Sequence, residues 1–335
     1  MTNLSIAFAG STQYAHNILT CLIQNNFTIP YVLTPRPKLV GRNQILTFNP
    51  VEKLCQKENL TFFSLDQKIG EYKNHILQMP KVDFLLVTDF GYFIPNWLLN
   101  LPRFSTLNIH PSLLPKWRGS SPGQFALLFG QKKSAITLMK INKKMDQGDL
   151  IAQLNFNISP SWTQNNYYQF AFNLITNNIV NLLHNYQNLN LKTIKQPPSS
   201  PTPLARMLKK TDSFIDFNIL KPLIQNKNHE IKKTFFPQFS NKIIKLYQNQ
   251  IIKEPLLMFL IQQAKKEIHH SIIYQAHKAF YNWPGIWTII STQKGKKIMK
   301  IIDLQIDNDK LVILKVKIQG GNIANFNEIK NQIIF

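Results

Sequence analysis

The amino-acid sequence predicts an α/β protein: a Rossmann-like domain built on a mostly parallel sheet, followed by a smaller, OB-like β-barrel domain. Three observations carry this. Short apolar runs alternate with helical patterns through the first half, as in a sheet covered by helices on both faces. A proline-rich stretch without apolar periodicity interrupts the chain before residue 205, which reads as a stiff, extended linker. Beyond it, three short strand-like runs are broken by glycines, the pattern of a small antiparallel barrel.

The elements follow in order. Leu4–Ala9 is an apolar first strand, Gly10-Ser11-Thr12 a turn, and Tyr14–Gln24 a helix. Tyr31–Thr34 reads as a strand, Val51–Glu58 as a helix, Thr61–Ser64 as a short strand and Asp83–Thr88 as a buried one. A helix at Asn165–His184 closes a first domain of residues 1–191. The first turn lacks the GxGxxG spacing, which disfavours a dinucleotide site. Ligands in such sheets nonetheless gather at the carboxyl ends of the strands. Residues 192–204 contain four prolines and form the linker. The second domain, 205–335, opens with a Lys- and Asn-rich insertion at about 218–269 whose helical pattern is weak. Its strands are Trp287–Ser291, Lys297–Ile306 and Lys310–Ile318, punctuated by Gly295 and Gly320-Gly321.

Composition narrows the function classes. At 335 residues and 44% hydrophobic, the chain can build about two packed cores and is not a disordered polymer. No run approaches the ~20 apolar residues that span a bilayer. The opening lacks the basic start and cleavage site of a signal peptide and the arginines of a transit peptide, so a cytoplasmic location is expected. Cys21 and Cys55 are too few for a disulfide framework or a metal cluster, and no metal is expected. The formal net charge is +22. Residues 1–200 carry 18 basic and 8 acidic side chains, and residues 201–335 carry 21 and 9. The excess is spread over both domains, and such a surface attracts polyanions. A basic protein without a nucleic-acid partner remains the alternative on charge alone.

Two segments carry chemistry. In Leu107-Asn108-Ile109-His110, alternation places Asn108 and His110 on one face of a strand end, and Pro111 and Pro115 stop the strand there. An amide donor beside an imidazole suits acyl transfer: the amide donates to a developing oxyanion and the ring moves a proton. Taken alone, a buried structural histidine near a turn is the plainer reading. The second segment is Lys143-Lys144-Met145-Asp146-Gln147-Gly148-Asp149. A carboxylate in a glycine turn is usually solvated or a cap, but beside an imidazole it raises the basicity of the ring. The sequence alone does not place Asp146 near His110.

Asn108-Ile109-His110-Pro111-Ser112-Leu113-Leu114-Pro115-Lys116-Trp117-Arg118-Gly119, followed by Met145-Asp146-Gln147-Gly148-Asp149, resembles the folate-dependent formyltransferases. The resemblance covers nearly the whole chain. It takes in Ile6-Ala7-Phe8-Ala9-Gly10, the Thr34–Arg42 loop, Asp89–Pro95, Ala205–Lys210, Ile215–Phe217, Ala279–Gly285 and Gln319–Gly321. It implies that 10-formyltetrahydrofolate is the co-substrate, that Asn108, His110 and Asp146 are catalytic, and that Ser112, Leu113, Leu114 and Pro115 border the folate. Asn108 and His110 would stabilise the oxyanion of the tetrahedral intermediate, while Asp146 orients His110 and accepts protons. No metal is implied, because positioning an activated formyl group supplies much of the barrier reduction.

The acceptor is read from Thr34-Pro35-Arg36-Pro37-Lys38-Leu39-Val40-Gly41-Arg42. This is either an ordinary solvated loop or a flexible insertion that grips an acceptor stem through Arg36, Lys38 and Arg42. The basic second domain and a Gly-Arg pair shared with the family favour a charged initiator tRNA as partner, formylated on its free amino group to support translation initiation. A monomer is the expected working unit. The alternatives are a formyltransferase for a small amine, such as a sugar nucleotide or glycinamide ribonucleotide, and a tRNA-binding protein without activity. The sequence departs from the family at Ser11-Thr12-Gln13-Tyr14, Lys38, Asn142, Lys144 and Gln147, and the 218–269 stretch looks longer.

Overall fold

The computed structural model describes residues 4–40, 44–66, 69–224, 255–263, 269–307 and 310–334. The chain divides into two compact units. The first comprises Met1–Arg118, Ala135–Phe156 and Gln169–Ser199; the second comprises Gly119–Ser134, Asn157–Tyr168 and Ser200–Phe335. The second unit thus takes two segments from the half of the sequence that reads as one domain.

The chain runs through β1 (Ile6–Gly10), α1 (Gln13–Gln24), β2 (Val32–Pro35), β3 (Lys38–Val40), β4 (Ile45–Thr47), α2 (Pro50–Lys57) and β5 (Phe62–Leu65). It continues with β6 (Phe84–Thr88), β7 (Ser105–His110), β8 (Lys133–Lys140) and β9 (Leu150–Asn157). Seven of these strands form one sheet in the order β5-β2-β1-β6-β7-β8-β9. Pairing is parallel from β5 through β7, and β8 joins β7 antiparallel. The order reverses between β1 and β6, which makes their carboxyl ends the switch point where ligands bind in such sheets. Every residue of β1 and β6 is buried, as a strand covered on both faces requires.

Local chemistry sets the turns beside this edge. A Cβ on Gly10 would stand 2.6 Å from the Ala15 Cβ and 2.9 Å from the Thr88 carbonyl, so only glycine lets α1 start this close to β6. Thr12 caps α1 by accepting from the Ala15 N–H, and Ala15, Ile18, Leu19 and Leu22 form its buried face. Asn49 caps α2, accepting from the Val51 and Glu52 N–H groups while donating to Thr34 Oγ1 and the Pro35 carbonyl.

Three expectations need adjustment. The single helix expected at Asn165–His184 is two, Gln164–Thr176 and Ile179–Gln187. Between them the Asn178 side chain donates to the Leu174 carbonyl, a local bond that competes with the helical ladder. Within the expected Thr34–Arg42 loop, β3 pairs antiparallel with β4, with Lys38 opposite Thr47. The first part of the proline-rich stretch, expected as a stiff, extended linker, is hydrogen-bonded to the segment around β9. Ile194 exchanges two 2.8 Å backbone bonds with Leu150, and Gln196 is buried.

In the second unit, β10 (Trp287–Thr292), β11 (Gly295–Asp307), β12 (Lys310–Ile318) and β13 (Ile323–Asn325) form an antiparallel sheet in that order. The smaller β domain is therefore present as four strands. Gly295, with φ +91°, opens β11 directly after the β10 turn, and a register shift bends β11 around Ile301–Leu304. The helix His269–Ala279 packs against the helix Pro122–Leu128. Of the 218–269 stretch, residues 225–254 and 264–268 lie outside the described residues; Phe217–Ile224 and Leu256–Gln262 are helical. Among the described residues no helix is long and apolar enough to cross a membrane.

Candidate active site

The end of β7 sits beside the switch point. Asn108 lies opposite Val87 of β6 and Met139 of β8, and His110 lies opposite Thr137. The two side chains share one face, as strand alternation dictates. Asn108 is half-buried and His110 is buried. His110 Nε2 is 3.2 Å from the Trp117 carbonyl. A carbonyl only accepts, so this bond assigns the proton of the neutral ring to Nε2 and leaves Nδ1 as the proton-accepting nitrogen.

The carbonyls of the segment after β7 are held by side chains, one of its own and two from β8 and β9. Ser112 Oγ donates to the Lys116 carbonyl at 2.8 Å, and Thr137 Oγ1 donates to the Ser112 carbonyl at 2.6 Å. Gln153 Nε2 donates to the Leu114 carbonyl and to Thr137 Oγ1. Leu114 is buried with Met139 and Leu150, whereas Leu113 and Pro115 are only partly covered. Ser112 and Leu114 therefore build the turn, and Leu113 and Pro115 offer apolar surface.

Asp146 reaches this place from the β8–β9 connection, with Oδ2 3.7 Å from His110 Nδ1. Its φ is +51°, a left-handed conformation that Asp tolerates better than most residues. Two residues on, a Cβ at Gly148 would collide with the Lys140 carbonyl, which fixes glycine there. Gln196 donates to the carbonyls of Asp146, at 3.0 Å, and Gly148, at 2.7 Å. Gln196 Oε1 in turn accepts from Arg118 Nε and Nη2 at 3.2 and 2.9 Å. Arg118 is buried; burial lowers its pKa, opposed by the negative charge of Asp146.

A second carboxylate lies nearby. Asp89 follows β6 and takes bonds from Ser11 Oγ on its backbone carbonyl and from Thr12 Oγ1 on its carboxylate. The residue keeps an exposed flank, yet crowding around the carboxyl group raises its pKa, against the bond from Thr12 and the charge of His110. Sequence reasoning gave no role to Asp89, Gln153 or Gln196, and none to Arg118 beyond its place in the motif. Only pairing between distant segments reveals them.

The basic loop is partly described. The guanidinium of Arg36 donates to Tyr72 Oη at 2.6 Å and to the Ser64 carbonyl, and lies 3.6 Å from Asp66. It anchors the hairpin base. The backbone of Lys38 is in β3, and Arg42 lies outside the described residues. Leu39, Ile45 and Leu46 are exposed on the hairpin. Among the described residues no group of three or more His, Cys, Asp and Glu side chains stands together to hold a metal.

A strand-end amide, an imidazole with its accepting nitrogen toward a carboxylate, and a rigid turn with apolar edges are the parts of an acyl-transfer site. The Formyl transferase family model matches residues 3–180, and the chain belongs to that family. It is 34% identical over 215 residues to the methionyl-tRNA formyltransferase of Malacoplasma penetrans (strain HF-2), a match covering 64% of this chain and 67% of that protein. It is 28% identical over 322 residues to the methionyl-tRNA formyltransferase of Buchnera aphidicola subsp. Acyrthosiphon pisum (strain Tuc7), covering 93% and 98%. Among solved structures, HypX from Aquifex aeolicus in complex with tetrahydrofolic acid aligns with a TM-score of 0.57 at 11% identity, over 98% of this chain and 47% of that one. That likeness is one of fold.

Proposed function

We propose that this chain transfers the formyl group of 10-formyltetrahydrofolate to the free amino group of methionyl-initiator tRNA, supporting translation initiation in the cytoplasm. The observation that carries the chemistry is the approach of Asp146 to His110 beside Asn108 at the end of β7. The acceptor rests on the nearly full-length match to a protein named for it and on the charge of +22.

The donor set fits the folate. A formyl oxygen needs hydrogen-bond donors, and Asn108 supplies an amide at the strand end. A flat heterocycle needs an apolar edge, and Leu113 and Pro115 are partly exposed beside Ser112 and Leu114. When bound, 10-formyltetrahydrofolate supplies a formyl group already activated on nitrogen. The chain's own residues do the rest. Asn108 donates to the oxygen on which negative charge develops. Nδ1 of His110 takes the proton that the attacking amine gives up, while Nε2 stays bonded to the Trp117 carbonyl and keeps the ring in place. Asp146 stabilises the resulting imidazolium. Once the nitrogen leaving the formyl carbon needs a proton, His110 returns it.

For the acceptor, Arg36, Lys38 and Arg42 meet phosphates and base edges of the stem, with Arg42 the base-edge candidate because its planar fork satisfies two acceptors. Arg36 uses two of its five donors on Tyr72 and the Ser64 carbonyl, and its exposed side chain keeps others for the acceptor. The basic second unit adds further attraction, and one copy of the chain suffices. The test is formyl transfer by the purified protein to charged initiator tRNA, with uncharged initiator tRNA as control. Formyl-methionine released by mild hydrolysis only from the charged sample supports the reading; none from either overturns it.

A further inference from the structure

We infer that Gln196 is a positioning residue for Asp146: from a segment that reads as a linker, its side chain holds the loop carrying the carboxylate at its distance from His110. The inference rests on the proposed function, in which that carboxylate is catalytic. Gln196 is buried, at 6% exposure. Arg118 offers only donors, so the atom facing it is the amide oxygen, and the carbonyls of Asp146 and Gly148 face the amide nitrogen. Both ends of the amide are thus used in the one orientation their chemistry permits. Glu lacks the donors, and an apolar side chain lacks both.

The loop needs such a hold. Asp146 sits at positive φ, a conformation that Asp tolerates but that is less populated than the right-handed one, so bonds to its backbone help to keep it there. Gln196 bonds the backbone of Asp146 itself and of the glycine two residues on. Arg118 steadies the clamp in turn: its remaining donors bond the Pro197 and Pro198 carbonyls at 2.8 and 3.2 Å. The same guanidinium therefore fixes the amide and the chain that carries it. Misplacing a reacting group by about 1 Å costs on the order of 10²-fold in rate, so a modest slackening of this loop is measurable.

The experiment uses the full-length protein with Gln196→Leu, Gln196→Glu, Asp146→Asn and the Gln196→Leu/Asp146→Asn double variant. Turnover, both Michaelis constants and thermal unfolding are measured. Each Gln196 variant should lower kcat by about tenfold or more with both Michaelis constants within about twofold of the parent. In the Asp146→Asn background, Gln196→Leu should cost less than about twofold more, because the group it positions is already lost. Gln196→Glu keeps an acceptor for Arg118 and carries the test if Gln196→Leu does not fold. Parental kcat in the Gln196 variants while Asp146→Asn is slow overturns this inference alone. So does an equal loss in both backgrounds, which would mark Gln196 as acting elsewhere. Parental kcat in Asp146→Asn overturns the catalytic reading of Asp146 and this inference with it.

Discussion

Replacing Asp146 by Asn keeps the shape of the side chain and removes its charge. The structure sets the size of the effect. Asp146 Oδ2 and His110 Nδ1 are 3.7 Å apart, with side chains 15% and 6% exposed. A unit charge pair at that separation interacts by about 4 kcal/mol at an effective dielectric constant near 20. The interaction exists only once His110 has taken a proton, so it falls on the transition state rather than on substrate binding. At tenfold per 1.4 kcal/mol, Asp146→Asn should lower kcat by about 30-fold if half the charge has developed, and by about 10³-fold if all of it has. Michaelis constants for folate and tRNA should change little. Steady-state formylation of charged initiator tRNA, with unfolding curves as a control, measures this. A kcat within threefold of the parent, or a loss confined to the Michaelis constants, would refute the reasoning.

The remaining expectations concern the loop, the second unit and the hairpin. Gly148→Ala drives a methyl into the Lys140 carbonyl; a loss of more than about 2 kcal/mol in chemical unfolding is expected, and parental stability would show that the turn has room to relax. Burial pushes the Lys278 amine down to about 8, so below pH 8 the folded state carries the cost of a buried charge. Between pH 8 and the unfolded value near 10.5 the folded protein releases its proton first, and stability rises with pH. Lys278→Met should therefore gain most over the parent below pH 8, by at most about 3 kcal/mol less the bond to the Pro160 carbonyl. That advantage should shrink towards pH 10 in paired urea titrations, and a pH-independent difference would count against it. Neutralising Arg36, Lys38 and Arg42 together should raise the Michaelis constant for tRNA and lower the log–log salt slope by somewhat under ~1 per lost phosphate contact, with folate unaffected. Arg36 should contribute least, since Tyr72 already holds it, and unchanged kinetics at low and high salt would make the hairpin a bystander.

The buried parallel strands were legible in the sequence because they leave unbroken apolar runs, whereas β8 and β9 were not read from it. Phe84–Thr88 and the β10–β12 runs appear where hydrophobicity and glycines place them. Asn108 and His110 were legible as a pair because alternation fixes their common face. What brings Asp146 to His110 was not. That approach depends on Gly148 against Lys140, and on Gln196 reaching back across about fifty residues of chain. A glutamine beside prolines has no periodicity, and the bonds that bury it belong to no regular element. The break at Asn177–Asn178 was hidden for a related reason: an asparagine that bonds the preceding turn looks like any polar residue on a helix surface. The membership of 119–134 and 157–168 in the second unit was not legible because it rests on contacts with segments far along the chain, such as the helix His269–Ala279 against Pro122–Leu128 and Lys278 on the Pro160 carbonyl.

The most direct test is a comparison of kcat/KM for three acceptors with one preparation of enzyme and 10-formyltetrahydrofolate: methionyl-initiator tRNA, glycinamide ribonucleotide and an amino-sugar nucleotide. Formylation of the tRNA by at least about 10³-fold in preference to either small amine is the expected result. Comparable or faster transfer to a small amine would contradict it.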